Sequence, residues 1–267
     1  MSFLINLERT KLRLYKKAAF LAESFPLEDF ITTEALKAKV AKEPFPYACI
    51  DNFLLRHQYE KLQKGFMSTL AKGVSKDVKA AHMFHAFDMD YDGYKLVPQV
   101  PHNPADPLYV FFTAAFNHFF SNLFGQLTTL DTSLAFHHHP AGDRTGFIHN
   151  DYVDKNFNQA NKLPNQVIPH AASDTPTTSE HGMMVPERRI IALLYYLGNE
   201  PWKEGMGGET GLYVSSAKGS EPKVSIAPIN NRMLAFQISE RSFHTFQHNL
   251  VPRNCIVQWF HIPAPLL

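Results

Sequence analysis

The sequence predicts a mainly β protein with α-helices (an α+β class), built on a double-stranded β-helix, or jelly-roll, core with N-terminal and packing helices. Two observations predict this class. From residue 129 onward, short apolar segments are separated by Gly, Pro and Asn turns, as in a β-sandwich or barrel. Residues 1–128 instead carry apolar stripes with helical spacing. We therefore expect residues 1–267 to form one domain, with 1–128 as mostly helical support for a jelly-roll core at 129–267.

In the first half of the chain, helical and strand patterns alternate. Apolar residues recur at helical spacing in residues 8–42, which predicts two helices, and again in residues 55–72. Between them, residues 45–54 change to the pattern of a short strand that enters a turn. Residues 107–126 carry six phenylalanines at helical spacing, which favours core packing over ligand binding.

In the second half, eight segments have the length and composition of strands. They are Ser133–His138, Gly146–Asp151, Arg189–Leu197, Thr210–Val214, Lys223–Ala227, Arg232–Ile238, Ser242–Phe246 and Asn254–Phe260. Residues 152–187 interrupt this rhythm, because they are rich in Asn, Pro, Ser and Thr and show little periodicity. A connection of this length inside a compact domain is typical of a lid, so we expect residues 152–187 to cover a substrate.

Composition indicates a globular chain with a large, aromatic-rich core. Hydrophobic residues make up 45% of the 267 residues, and 22 residues are phenylalanine. The formal net charge of +1 argues against nucleic-acid binding through a broad basic surface. The sequence has no apolar run of about 18 residues, the length that a membrane helix needs, and its first residues lack a signal-peptide pattern. We therefore expect a cytoplasmic protein with no nucleic-acid or membrane partner.

The two cysteines, Cys49 and Cys255, lie far apart in otherwise apolar segments. Their number and spacing do not indicate a disulfide framework. We expect both to be buried free thiols in a reducing compartment.

The segment Gly146–Asp151 carries the first candidate metal ligands, His149 and Asp151. On an extended strand, side chains two residues apart point to the same face, so both can reach one metal ion. The pattern alone is a weak signal in a chain with 14 histidines. A second histidine from elsewhere would complete a two-histidine, one-carboxylate set, which leaves open positions on an iron ion.

The third ligand is expected on a late strand, where two candidates occur, His244 and His248. Asn249 and Pro252 mark a turn after them, and a strand begins near Arg253. We prefer His244, because it closes a strand that lies beside the next one, whereas His248 falls in the turn. Arg253 opens an otherwise apolar strand, so its guanidinium needs a partner. A dicarboxylate co-substrate fits the guanidinium fork, and a structural ion pair is the alternative.

Several sequence blocks together resemble the iron(II)- and 2-oxoglutarate-dependent oxygenases of the prolyl-4-hydroxylase-like type. The resemblance runs from about residue 45 to the C-terminus, with the blocks in the order that the family has. The blocks are 45–54, Gly142–Asp151, Arg189–Leu197 with Trp202 and Gly207–Thr210, Pro228–Phe236, and His244 with Arg253, Trp259 and Phe260.

The resemblance implies a metal site and a co-substrate site. It assigns Fe(II) to His149, Asp151 and His244, and the distal carboxylate of 2-oxoglutarate to Arg253. With O2, and with ascorbate as a candidate reductant, the reaction would give succinate, CO2 and a hydroxylated C–H bond. Related halogenases carry a small residue in place of the carboxylate, so Asp151 favours hydroxylation.

One strand departs from the family pattern. Prolyl hydroxylases often have a tyrosine before the His-x-Asp pair that contacts 2-oxoglutarate, and here residues 136–140 read Phe-His-His-His-Pro. Either one of these histidines takes that role, for which we choose His138, or the histidines simply alternate inward and outward along the strand. The resemblance also favours Thr210 as a residue that lines the co-substrate pocket.

The substrate is expected to be a free amino acid or a related small metabolite, because Glu187 and Arg188 stand at the exit of the polar segment 152–187. A peptide or protein, hydroxylated at proline or another residue, is the alternative substrate. A non-catalytic jelly-roll module that binds a metal or ligand is the alternative from another class. Iron- and oxygen-dependent turnover of 2-oxoglutarate to succinate distinguishes an enzyme from such a module.

Overall fold

The structure, a computed structural model, describes residues 25–77, 82–86, 93–158 and 184–264. Within these ranges, no helix combines the length and apolar character needed to cross a membrane. The expected helix at the start of residues 8–42 lies outside the described residues.

In the described part of the chain, three α-helices and two 3-10 turns support the sheets. They are α1 (Thr33–Leu36), α2 (Arg56–Leu70) and α3 (Ala114–Phe124), with 3-10 turns at Leu27–Asp29 and Pro107–Phe112. Thr113 caps α3, because its Oγ1 accepts a hydrogen bond from the Phe116 backbone N–H at 3.2 Å, and Gly125 ends the helix with φ 63°. The helical expectations for residues 55–72 and 107–126 are confirmed, whereas α1 is only one turn long.

The strands form a large mixed sheet and a small antiparallel sheet. They are β1 (Tyr47–Ile50), β2 (Val74–Ser75), β3 (Phe84–Ala86), β4 (Tyr94–Leu96), β5 (Thr132–His139), β6 (Asp154–Asn158), β7 (Met184–Tyr196), β8 (Thr210–Tyr213), β9 (Val224–Ile226), β10 (Arg232–Gln237), β11 (Phe243–Phe246) and β12 (Arg253–Pro263). The major sheet has the order β1-β10-β7-β12-β5-β4-β3-β2, with β6 paired to β7, and the minor sheet has the order β11-β8-β9. The mainly β class with a jelly-roll core is confirmed.

The central strands of the major sheet are buried on both faces. In β7, Leu193 and Tyr195 pack in a phenylalanine-rich core on the side of the helices. The alternate residues Leu194 and Tyr196 pack in a second core together with Leu212 of the minor sheet. Alternation along a strand therefore divides the interior into two cores. We call the space between the two sheets, which contains the second core, the intersheet gap.

Two expectations about the segment after β5 are wrong. Residues 146–151 are not a strand; the segment meets β11 through an isolated bridge between His149 and His244 and a hydrogen bond from the Gly146 N–H to the Phe246 carbonyl oxygen. Residues 152–187 are not irregular throughout, because β6 and the start of β7 pair in an antiparallel register from Asp154 with Arg188 onward. The middle of the expected lid, residues 159–183, lies outside the described residues.

The cysteine expectation is confirmed in part. Both cysteines are free thiols, and Cys255 is buried, but Cys49 is exposed. Cys49 lies on β1, an edge strand of the major sheet, where one face of the strand meets solvent.

Candidate metal centre

His149, Asp151 and His244 meet at one point on the edge of the intersheet gap. One ligand atom from each residue lies within 4.8 Å of the other two. The Nε2 atom of His149 lies 3.9 Å from one Asp151 carboxylate oxygen, and the Nε2 atom of His244 lies 3.6 Å from the other. Among the described residues, this is the one group of three or more such side chains with metal-binding spacing.

Backbone pairing between distant segments positions the two histidines. The N–H of each residue donates to the carbonyl oxygen of the other, at 3.1 Å from His149 and 2.8 Å from His244. Their ring centroids lie 4.4 Å apart. Asp151 has a left-handed backbone with φ 56°, a conformation that Asp tolerates better than most residues. The carboxylate thus joins the site from a turn and not through the alternation of a strand.

Each histidine presents its Nε2 atom to the site. The Nδ1 atom of His149 lies 3.0 Å from the Phe147 carbonyl oxygen, and that of His244 lies 3.0 Å from the Ser242 carbonyl oxygen. A carbonyl oxygen only accepts hydrogen bonds, so both Nδ1 atoms carry the proton. The Nε2 atoms therefore hold the lone pairs, as a metal ligand requires.

The Asp151 carboxylate is held by two donors that the sequence analysis did not assign. Arg189 Nη1 donates to one oxygen at 3.1 Å, and Trp259 Nε1 donates to the other at 2.8 Å. The Arg189 guanidinium carbon lies 4.0 Å from the Trp259 ring centroid, so these two side chains also stack on each other. The sequence did contain a signal for Arg189. Like Arg253, it is a charged residue near the start of an apolar segment.

The electrostatics of the site favour an ionised carboxylate. Burial alone would raise the pKa of Asp151, but the adjacent His244 ring and the charge of Arg189 hold it well below its ordinary value. Two neutral imidazoles with Nε2 lone pairs and one carboxylate form the donor set that suits iron(II) and leaves positions open. The residues present therefore fit an iron ion.

A buried arginine lies deeper in the same gap. The Arg253 side chain donates from Nη2 to Thr210 Oγ1 at 3.0 Å, and Arg253 as a whole is 3% exposed. The Tyr196 hydroxyl is 2.7 Å from the same Thr210 oxygen. The guanidinium carbon also lies 5.0 Å from the Phe246 ring centroid. The structure thus brings Arg253 and Thr210 together.

The three histidines of β5 alternate between the two faces of the major sheet. His139 is directly opposite Arg253 and His137 is opposite Cys255, so both lie on the gap side. His138 is opposite Asn254, and its Nδ1 is 2.7 Å from the Asn254 Oδ1. The position of its side chain therefore does not support the choice of His138 as a co-substrate residue.

His248, the alternative third ligand, has a different contact. Its Nδ1 donates to the Asp143 carbonyl oxygen at 2.7 Å, as expected for a residue in the turn. The structure brings His244, and not His248, to His149 and Asp151.

One protein-family model matches part of the chain. The model of the 2OG-Fe(II) oxygenase superfamily matches residues 136–261, which include the three candidate metal ligands and Arg253. The match supports the resemblance to this superfamily over those residues. Members of the superfamily use Fe(II), 2-oxoglutarate and O2, and the chain is accordingly a 2-oxoglutarate-dependent hydroxylase.

Solved structures of other oxygenases share the fold. A Pseudomonas putida prolyl-4-hydroxylase is 16% identical, with 82% of this chain and 93% of that chain covered and a TM-score of 0.53. A Trichoplax adhaerens prolyl hydroxylase, solved in complex with a peptide fragment of hypoxia inducible factor, is 18% identical, with coverages of 94% and 92% and a TM-score of 0.53. At sequence identities of 16% and 18%, the structural similarity establishes the fold alone.

Proposed function

We propose that His149, Asp151 and His244 hold Fe(II) in this oxygenase, and that Arg253 binds the distal carboxylate of 2-oxoglutarate. The observation that carries the proposal is the convergence of three ligand atoms within 4.8 Å. When bound, iron and 2-oxoglutarate supply the oxidising chemistry that inserts one oxygen atom from O2 into a C–H bond and releases succinate and CO2.

The residues around Arg253 are suited to a dicarboxylate. The guanidinium fork matches a carboxylate with two parallel hydrogen bonds, and burial strengthens this attraction because water does not screen it. The Thr210 hydroxyl, held by Tyr196 and Arg253, adds a polar group at the same place. We propose that Thr210 lines the co-substrate pocket and orients the arginine.

The charged residues that favoured a small substrate have partners within the protein. Arg188 donates to both carboxylate oxygens of Asp154, at 2.6 and 2.9 Å. Glu187 is 3% exposed, and its carboxylate accepts a hydrogen bond from Thr129 at 2.7 Å. Neither side chain is placed to pair with the charges of a free amino acid, so the sequence argument for that substrate loses its basis.

The surface beside the metal centre supports a peptide or protein substrate. Phe147 and Val153, on either side of the His149 and Asp151 pair, are 49% and 42% exposed. The Phe147 ring lies 4.9 Å from the His149 ring. Exposed apolar side chains at the mouth of a site favour contact with a partner surface over a small charged metabolite. A peptide side chain is therefore the proposed target, and a free amino acid is the second candidate.

A turnover experiment tests the proposal. Purified protein with Fe(II) and 2-oxoglutarate would be supplied with O2 and with either a peptide library or a pool of free amino acids. We expect succinate formation above background only with peptides, and a mass gain of one oxygen in the product. Phe147→Ser is expected to raise the KM for peptide, whereas Val214→Ser, at a residue that is also exposed, leaves it unchanged. Turnover of amino acids alone would overturn the peptide assignment.

A further inference from the structure

A cavity lies on the helix side of the major sheet, outside the intersheet gap. It has a volume of about 820 Å³ and lies between α2, β4 with the residues after it, and the 3-10 turn Pro107–Phe112. Buried apolar side chains form its floor, namely Leu62, Phe66, Leu108 and Phe136. Its volume and apolar floor are typical of pockets that bind small organic molecules.

The major sheet separates this cavity from the metal centre. Phe136 of β5 belongs to the core on the helix side, where its ring lies 4.9 Å from the Phe66 ring. The next residue, His137, points to the gap, because side chains alternate along a strand. The described residues that line the cavity include neither the proposed iron ligands nor Arg253. A molecule in the cavity would therefore lie on the opposite side of the sheet from 2-oxoglutarate.

Three lysines stand at the mouth of the cavity. Lys61 and Lys64 lie on α2, and Lys72 follows the end of that helix. Lys61 is held at the edge, because its Nζ donates to the Ala105 carbonyl oxygen at 2.8 Å. Lys64 and Lys72 are exposed, so their ammonium groups can reach a ligand that enters the cavity without losing all contact with water.

Negative charge is scarce around the same mouth. Asp106 is the one acidic side chain among the described residues that line the cavity. It caps the 3-10 turn, since its Oδ1 accepts a hydrogen bond from the Leu108 backbone N–H at 2.8 Å. His85 is neutral at pH 7, because burial and the charge of Lys95 lower its pKa. Three lysines against one aspartate leave the mouth positively charged, which attracts an anion.

Gly65 widens the cavity in the middle of α2. A Cβ at this position would have no heavy atom within 4 Å, although Gly65 lines the cavity one turn from Lys61 and one turn from Thr69. Glycine inside a helix is less favourable than most other residues. A larger side chain here would therefore favour the helix and at the same time occupy part of the cavity.

We propose that this cavity binds a small amphipathic anion, with its apolar body against Phe66 and Phe136 and its anionic head at Lys64 and Lys72. The apolar floor supplies the burial that such a body gains, and the lysines select a negative head over a neutral or positive one. This site needs neither iron nor 2-oxoglutarate, so it is independent of the proposed function.

Dodecanoate, used below its micelle-forming concentration, tests the site on the full chain. Its binding would be measured as displacement of the fluorescent anion anilinonaphthalene sulfonate. We expect dodecanoate to bind the wild type at least about tenfold more tightly than dodecyltrimethylammonium, which has the same apolar chain and the opposite charge. The affinity for dodecanoate is expected to fall at high salt, because salt screens charges at the surface.

Variants at the cavity locate the probe. Gly65→Leu is expected to weaken dodecanoate binding at least about tenfold, with a Tm at or above that of the wild type, because leucine favours a helix. The double variant Lys64→Ser, Lys72→Ser is expected to weaken dodecanoate but not dodecyltrimethylammonium. Replacing Lys203 and Lys218, two exposed lysines elsewhere, by serine is the matched control and leaves the affinity for dodecanoate unchanged.

The results that would overturn the proposal are distinct. Equal dodecanoate affinity in wild type and Gly65→Leu would place the probe outside this cavity. Equal affinity for the two probes would refute selection of an anion, and no binding of either probe would refute the site. Displacement of dodecanoate by 2-oxoglutarate in the presence of Mn(II) would place the probe in the intersheet gap.

Discussion

At the scale of single residues, each proposed iron ligand has a fixed partner that decides which atom it offers. Carbonyl oxygens hold the Nδ1 protons of His149 and His244, and Trp259 with Arg189 holds the carboxylate of Asp151. Side chains locked in this way lose little freedom when a metal arrives, so affinity depends on the supporting contacts as well as on the ligands.

Asp151→Ala removes the one anionic ligand and leaves two histidines. We expect iron affinity and 2-oxoglutarate turnover each to fall by more than about a hundredfold, because even loss of a supporting contact costs about 10–100-fold. Iron content after dialysis and succinate formation measure the two effects. Asp154→Ala is the control, since it removes an aspartate that pairs with Arg188; retention of full activity by Asp151→Ala would refute the ligand assignment.

Trp259→Phe keeps an aromatic ring beneath Arg189 but deletes the hydrogen bond to Asp151. We expect iron affinity to fall about tenfold, measured by metal titration without oxygen, with a smaller effect on folding. Trp202→Phe is a matched control, because Trp202 donates to the Gly207 carbonyl oxygen at 3.0 Å. Equal iron affinities for wild type and Trp259→Phe would show that the indole N–H does not position the carboxylate.

Arg253→Lys retains the positive charge but removes the planar guanidinium, which can donate two parallel hydrogen bonds to one carboxylate. Removing one partner of a buried charge pair costs about 2–5 kcal/mol, and lysine recovers only part of that, so the KM for 2-oxoglutarate is expected to rise at least about tenfold. Steady-state kinetics with varied co-substrate measure it. Arg232→Lys changes an arginine that pairs with Asp51 elsewhere and is expected to leave the KM unchanged; a KM equally unchanged in Arg253→Lys would exclude the carboxylate role.

At the scale of elements, the strands that could be predicted are those with local signals. β7, β10 and β12 are continuous apolar runs bounded by turns, and burial on both faces of the sheet preserves that pattern. The composition of residues 146–151 predicted a strand, but the segment forms a single β-bridge, between His149 and His244. Whether a segment finds a partner strand depends on contacts distant in sequence, which local periodicity does not contain.

The faces of the β5 histidines show the same limit. Strand alternation predicted that neighbouring histidines would point to opposite faces of the sheet. Which of His138 and His139 faces the intersheet gap depends on the pairing register with β12. A shift of one residue exchanges the two faces of a strand, and no residue pattern within β5 fixes that register. The sequence likewise did not predict the supporting roles of Arg189 and Trp259. These residues lie on β7 and β12, and they contact Asp151 only because those strands fold beside its turn.

The turn before β8 offers a test of backbone geometry. Gly207 has φ 73°, and a Cβ at this position would overlap the carbonyl oxygen of His248. Gly205 has φ 87°, but a Cβ there would have no heavy atom within 4 Å. We expect Gly205→Ala to cost about 1–2 kcal/mol from the left-handed backbone alone, and Gly207→Ala to cost more than that.

Chemical denaturation measures the free energy of unfolding of both glycine variants. The difference between them isolates the collision with the turn that follows β11, because both carry the same substitution at a positive φ. Equal free energies for Gly205→Ala and Gly207→Ala would mean that the two turns are not packed as the structure shows.

At the scale of the whole molecule, the metal centre ties separate parts of the chain together. His149 and Asp151 lie in the turn region after β5 of the major sheet, whereas His244 lies on β11 of the minor sheet. Between these parts, the bridge from His149 to His244 and a hydrogen bond from the Gly146 N–H to the Phe246 carbonyl oxygen are contacts beside the site. An ion bound by all three residues would therefore link the two sheets at the open edge of the gap.

Because such an ion binds the folded chain and not the unfolded one, it is expected to stabilise the protein by mass action. At a free concentration of about 100 times the Kd, the gain is about 2.7 kcal/mol, which corresponds to a rise in Tm of about 5–10 °C for a chain of this size. Differential scanning calorimetry with Mn(II), which avoids oxidation, measures the shift, and a chelator reverses it. Asp154→Ala is expected to retain the rise and Asp151→Ala to lose it. A rise of equal size in both variants would place the stabilising ion at another site, because Asp151 supplies the carboxylate that joins the two histidines.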